Sequence, residues 1–255
     1  MTTKRLLFAL LALATATFCV GPFLWQASAS LAPGAYRDVF AQSPFARVLA
    51  NSLAVAAFTT LLCLGTASLA AFALAKLPVR GRRAMLAFAL GASMFPPIAT
   101  LSPLFLVIRA LGLRDQVAGL VLPYTSFALP LALWILTTHF SELPDEVYRA
   151  ARVDGCTPLG AFARVLLPLA APGLATAGML VFIFSWNEFL YALTFTSSPT
   201  HRTVPVAIAL FATGYREPWP QLGAASVIVT APLIALTWLF QRRLVAGLTA
   251  GAVKG

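Results

Sequence analysis

Gly155-Cys-Thr-Pro-Leu-Gly160 has the glycine spacing of a phosphate-binding loop. Such a loop needs Lys and then Ser or Thr directly after its second glycine, the first to reach phosphate oxygens and the second to hold magnesium. Ala161 and Phe162 stand there instead, so the chain is not expected to hydrolyse nucleotide. Other reactive sets are sparse. The two histidines, His139 and His201, fall on opposite sides of the membrane in the topology derived below, and no H-E-x-x-H or G-x-S-x-G occurs. Cys19, Cys63 and Cys156 are odd in number, and their spacing fits neither zinc nor a disulfide framework. Charge concentrates in one place: Glu142, Asp145, Glu146, Arg149, Arg152, Asp154 and Arg164 are seven charged residues within the 26 positions from His139 to Arg164.

That segment reads as two short helices around a sharp corner. Pro144 suits the first helical position, where its missing N–H costs nothing. Asp145 and Glu146 then lie in the first turn, and Arg149 and Arg152 in the last, each sign matching the helix dipole. Asp145 and Arg149 are four apart and can pair. Gly155 tolerates the left-handed geometry of a helix stop. Thr157 and Pro158 restart a helix as cap and first residue, and Pro168 and Pro172 lead into the next apolar run. Val147, Ala150 and Ala151 share a face at i, i+3, i+4 spacing. This face could dock under the chain's own bundle or plug a partner's groove, and spacing alone does not choose.

These residues must be positioned by elements made almost wholly of apolar sequence. The 255 residues are 60% hydrophobic and 10% charged, with a net charge of +10 and a mean hydropathy of +0.85. Soluble domains are about 25% charged, so a water-soluble globule and a disordered chain are both excluded. The basic residues form short clusters between uncharged runs rather than a stripe, which argues against nucleic acid. Six runs are long enough for membrane helices of about 20 residues: Leu6 to Tyr36, Val48 to Ala75, Ala84 to Ile108, Gln116 to Thr138, Val165 to Asn187 and Pro218 to Gln241. No run alternates as a barrel strand must, so backbone satisfaction in lipid predicts an all-α polytopic membrane protein. A single domain over 1–255 is expected, with spans near 6–28, 48–75, 84–108, 116–138, 168–193 and 221–241 and a cytoplasmic loop over 139–167. The first run also carries the basic start and Ala27-Ser-Ala29 of a signal peptide, but its apolar length favours an uncleaved helix. With both termini in the cytoplasm, twelve of the eighteen Lys and Arg residues fall on that side, as the positive-inside rule requires. Prolines, notably Pro96-Pro97, Pro103, Pro123, Pro130 and Pro232, punctuate the spans.

Glu188 is the only carboxylate inside a span, and an intramembrane acid invites a functional role. It could shape or gate the protein, touch solute, or snorkel to the interface, and Ser185 and Asn187 are within reach as partners. Trp186, Asn187 and Tyr191 are the residue types that hold sugars, so with Glu188 they form a candidate translocation set.

The stretch from Pro144 to Pro168 resembles the EAA loop of ABC-importer permeases, with Ala150, Ala151, Asp154, Gly155, Phe162 and Pro168 in register. The similarity extends over about Asn51 to Arg243. Met94-Phe-Pro-Pro-Ile-Ala-Thr-Leu-Ser-Pro-Leu-Phe, Leu111-Gly-Leu-Arg-Asp, Leu122-Pro-Tyr, Leu129-Pro-Leu-Ala-Leu-Trp134 and Ser185-Trp-Asn-Glu-Phe189 resemble the maltose-type carbohydrate permeases. That resemblance implies the six-helix type I importer permease fold with a cytoplasmic coupling helix, in a bacterial-type plasma membrane. It implies a half-pore that pairs with a second permease chain and seats its loop in one of two cytoplasmic ATPase subunits. A solute-binding protein would deliver a sugar or oligosaccharide from outside, and ATP and magnesium would sit on the ATPase, with no cofactor on this chain. The outer loop from Thr194 to Pro220, with His201, Arg202, Tyr215, Arg216, Glu217 and Trp219, either touches that binding protein or is simply solvated. One departure stands out: Arg149 replaces the glutamate of E-A-A. It would repel the basic residue that this acid is expected to meet, so either the ATPase compensates or the role moves to Glu146. A stand-alone secondary transporter or channel, or an importer of a non-sugar solute, are the alternatives.

Overall fold

The computed structural model describes residues 3–42, 44–211 and 218–250. Tyr215, Arg216, Glu217 and Lys254 lie outside the described residues. Every regular element among the described residues is helical. The first two are α1 (Thr3–Ser30) and the short α2 (Ala35–Gln42). Next comes α3 (Phe45–Lys76), 32 residues with no internal proline. At about 1.5 Å per residue it is roughly 48 Å long, well beyond a hydrocarbon layer of about 30 Å. One or both of its ends must therefore stand clear of lipid.

The third apolar run departs from expectation. It is not one helix over 84–108 but two, α4 (Arg82–Ser93) and α5 (Pro97–Ala110), bent by 92°. Pro96 is extended (φ −58°, ψ 124°) and Pro97 begins α5, because a residue before proline is pushed out of the helical region. Neither half alone is long enough to cross. After α6 (Ala118–Glu142) the elbow follows: α7 (Asp145–Val153), α8 (Pro158–Ala161), a π turn over Phe162–Leu166, and α9 (Leu167–Leu169). Because α6 runs to Glu142, the connecting segment starts later than 139.

The chain then bends by 79° into α10 (Ala171–Asn187). The fifth span is also not continuous over 168–193. It stops at Asn187, passes through an extended Glu188 (ψ 130°) and resumes as α11 (Leu190–Phe195). The last helices are α12 (Val204–Ala209) and α13 (Trp219–Ala250). Among the described residues four helices are long and apolar enough to cross a membrane, or up to six if each bent pair counts as one span.

The centre of the bundle is α3, α6 and α10. Cys63, Ala67 and Ala71 of α3, Ala128 and Ala132 of α6, and Ala177 and Val181 of α10 are buried together. Small side chains let helix backbones approach where no hydrophobic effect drives them together. By contrast α4 has no buried residue, and neither has the apolar window of α1, as expected of surfaces that face lipid.

The first helix leans on the last. Trp25 meets Trp219 edge to face at 5.4 Å. Two turns of α1 cross α13 so closely at Gly223 that a Cβ there would stand 2.7 Å from the Gln26 carbonyl oxygen and 3.1 Å from the Ser30 nitrogen. Backbone cannot yield as a side-chain tip can. Gly223→Val should therefore separate α1 from α13 and cost about 1–3 kcal/mol, read as a lower melting temperature in detergent. An unchanged melting temperature would show that this crossing contributes nothing.

Candidate functional site

The elbow is held by local geometry on both sides of its corner. Gly155 has φ +86°. The Cys156 N–H donates to the Ala151 carbonyl (3.0 Å) and the Gly155 N–H to the Arg152 carbonyl (3.2 Å). That pair of bonds is the Schellman stop, which needs a residue without a Cβ penalty at the left-handed position. Arg152 also donates to the Cys156 carbonyl. On the far side, the Gly160 N–H donates to the Thr157 hydroxyl at 3.0 Å, a cap worth about 0.5–2 kcal/mol. Pro144 caps α7 rather than starting it, so the helix begins one residue later than expected, because the extended backbone of Pro144 (ψ 136°) makes Asp145 the first helical residue.

The face of α7 divides differently from the spacing argument. Ala151 is buried, and Val147 and Tyr148 pack partly buried against the core, but Ala150 is exposed. An i, i+3 neighbour is rotated far enough to leave the seam when the helix tilts. The inward residues meet an aromatic cluster: Phe72 lies 5.8 Å from Tyr148 and 5.1 Å from Phe162, and Phe140 lies 6.1 Å from Phe162. Each such pair adds about 0.5–1.5 kcal/mol beyond its buried area. Phe162 thus clamps the second half of the elbow to α3 and α6. Pro168 is exposed, in the short α9 before the 79° bend.

The outward face carries Glu146, Arg149, Ala150, Arg152, Val153 and Asp154, all exposed. Docking inward and presenting a surface outward are both accommodated by one helix. Asp145 does not serve Arg149. It binds Lys76 Nζ at 2.6 Å, and Lys76 also donates to the Leu143 carbonyl at 2.6 Å. The Lys76 hydrogen bond and charge hold the Asp145 carboxyl below the usual carboxylate range. Arg149 instead lies 3.8 Å from Glu146, with both side chains more than 70% exposed. A pair that exposed is worth about 0–1 kcal/mol, so Arg149 can leave it for another partner at little cost. Lys76 and Asp145 carried no sequence signal for this contact. A lone lysine ending an apolar run looks like any interfacial flank.

The proposed pathway residues are mostly structural in their contacts. Glu188 sits at the helix break and caps α11, its two carboxylate oxygens accepting from the Tyr191 N–H (3.0 Å) and the Ala192 N–H (3.2 Å). Ser185 and Asn187 do not bind it; their side chains donate to the Val181 and Ile183 carbonyls of their own helix. Tyr191 is buried and ties α11 to the start of α5, pairing with the Thr100 hydroxyl at 2.6 Å and donating to the Pro97 carbonyl at 3.1 Å. Trp186 is buried and stacked on Phe182 at 5.7 Å. Asn187 is the one exposed member of the four.

At the opposite end of α6 from the elbow lies a second knot. Asp115 adopts φ +56° and accepts from the Ser197 N–H (2.7 Å), the Ser198 N–H (2.9 Å) and the Ser198 hydroxyl, with His201 Nδ1 at 3.5 Å. The start of α3 holds the same loop. Asn51 donates to the Thr200 and Arg202 carbonyls at 2.8 and 3.0 Å, and the Val204 N–H donates to Ser52 at 2.8 Å. The Ser198 hydrogen bond leads the interactions that pull the Asp115 carboxyl far below the ordinary carboxylate range. A depressed acid stabilises the folded loop above its unfolded pKa of about 3.9 and loses that contribution as pH falls through its folded value. The protection factors of the Ser197 and Ser198 amides, taken against the intrinsic exchange rate at each pH, should therefore fall below about pH 4, and Asp115→Asn should show low protection throughout. Protection that is equal in Asp115→Asn and native protein would show that the carboxylate does not hold the loop.

Residues 64–250 match the family described as the binding-protein-dependent transport system inner membrane component. The chain is 43% identical over 252 residues to the trehalose transport system permease protein of Mycobacterium tuberculosis, covering 92% of each. It is 40% identical to the trehalose/maltose transport system permease protein of Thermococcus litoralis, covering 99% of this chain and 98% of that one. With the sulfoquinovosyl glycerol transport system permease protein of Agrobacterium fabrum it shares 41% identity over 94% of this chain and 84% of that one. Its fold matches a chain in the crystal structure of a bacterial ABC transporter that imports the acidic polysaccharide alginate, at a TM-score of 0.81 and 22% identity over 95% and 98% of the two chains. The chain belongs to the inner-membrane components of binding-protein-dependent transport systems, the permease subunits of ABC importers.

Proposed function

We propose that this chain forms half of the translocation pore of a sugar importer and that its elbow is the handle by which an ATPase works it. The observation that carries this reading is α7 itself: a stiff helix, stopped by Gly155 and anchored inward through Phe162, that leaves a charged face open. ATP and magnesium belong to the partner ATPases, since Ala161 and Phe162 occupy the positions that nucleotide binding would require. Both termini and the elbow then lie in the cytoplasm, in line with the basic bias of those segments. A second permease chain completes the pore, and a solute-binding protein approaches the end organised by Asp115. The sugar assignment rests on the substrates in the names of the three relatives above. In this reading Asn187, the exposed member of the four pathway residues, faces solute, while Trp186, Glu188 and Tyr191 hold the break beside it.

Uptake by vesicles carrying the complex should require ATP and should stop when the elbow is scrambled. Accumulation against a gradient without the ATPase would overturn the reading in favour of a stand-alone transporter.

Arg149 defines the partner's chemistry. Its guanidinium is exposed and calls for an acid on this chain's own ATPase. Arg149→Glu should weaken binding of the native ATPase by about 1.5 kcal/mol or more, roughly tenfold, since an attraction becomes a repulsion at a docking surface. ATPase retention on the purified complex measures it. Full retention would mean that position 149 makes no specific pairing and that Glu146 or the apolar contacts carry docking.

A further inference from the structure

Two helices run between the ends of the molecule, and of these α3 has no internal proline while α6 carries Pro123 and Pro130. At one end Asn51 and Ser52 of α3 grip the loop of residues 200–204. At the other, Phe72 of α3 packs on Tyr148 and Phe162, and Lys76, its last residue, reaches the elbow. Residues 51 and 76 are roughly 38 Å apart along an unbroken helix. The third and fifth spans are broken, by 92° at Pro96-Pro97 and by the extended Glu188, so they cannot carry a push along their length. Lys76 is unusual in its own right. Its side chain is 2% exposed, yet it carries an ammonium with two partners, the Leu143 carbonyl and Asp145. Both partners belong to the root of α7, immediately before and after Pro144. A buried cation that loses its partners is strongly penalised, so the root of α7 is not free to swing away from the end of α3.

We infer that Lys76 is the positioning residue through which movement of the elbow is transmitted to α3 and along it to the loop of residues 197–204. The inference rests on the coupling reading above and adds the route that coupling takes. In this arrangement α7, α3 and the far loop move as one body when the ATPases close. The aromatic cluster keeps the elbow seated, while the Lys76 contacts fix its angle to the rod.

The test is made on the whole complex of both permeases, the ATPases and the binding protein. Spin labels are placed at Leu159→Cys on the elbow and Ser197→Cys on the far loop, both exposed positions, with Cys19 and Cys156 replaced by serine. In the otherwise native protein the distance between the labels should be the same with and without ATP and vanadate. In Lys76→Met it should change by about 2 Å or more on adding them, the scale of helix shifts in switching proteins, and Lys76→Arg should restore the constant distance. Asp145→Asn changes a side chain that is 63% exposed, so it tests the same tie should Lys76→Met fail to assemble, and it should show a smaller change in the same direction. A distance that stays constant in Lys76→Met, or in Asp145→Asn where only that variant assembles, overturns the inference, as does a distance that already changes in the native protein. A scrambled elbow separates the two layers. If the ATPase still binds to it, the coupling reading itself is wrong, whatever Lys76 does.

Discussion

Lipid gives a free backbone N–H or carbonyl nothing to bind, and most of this structure follows from that constraint. It explains why every regular element among the described residues is a helix. It also explains what happens where a helix stops within an apolar run. At the break in the fifth span, Glu188 supplies the acceptors that the first N–H groups of α11 lack. At the break in the third span, the Tyr191 hydroxyl reaches the Pro97 carbonyl. The two breaks are thus tied to one another through α11. An acid in an apolar run, which sequence alone presents as a candidate for solute or gating chemistry, is committed here to holding backbone.

The elbow obeys the same accounting with water nearby. Its corner is closed by the Gly155 stop and the Thr157 cap, so its two helices keep a fixed angle without outside help. Tertiary contacts then fix how it sits. Phe72, Phe140, Tyr148 and Phe162 seat one side, and Lys76 holds the root. A helix restrained in this way is suited to passing on a displacement rather than absorbing it. Its outward face keeps only the weak Glu146–Arg149 pair, which leaves charge to offer a partner.

Much of this was legible in the chain. Long uncharged runs report helices because each span must satisfy itself, and no other part of the protein is needed to read them. Gly155 and Thr157-Pro158 report their turns for the same reason: stop and cap are decided within a few residues. The breaks were less legible. Pro96-Pro97 was visible as punctuation, but a proline in a membrane helix can bend it slightly or fold it through 92°, depending on what packs beside it. Charge counting ended the fifth run at Asn187, but the expected span of 168–193 carried on through Glu188, where the helix breaks.

The sequence by itself determined the class of protein, the number and order of its apolar segments and the local shape of the elbow, because all of these rest on interactions between residues close along the chain. Tertiary structure alone decided which face of α7 turns inward, that Asp145 takes Lys76 rather than Arg149, and that Asp115 closes a loop 82 residues away. Each of those is a choice among several chemically adequate partners. Only the packing of α3 against α6 and the elbow, which brings distant residues within 3 Å, removes the others.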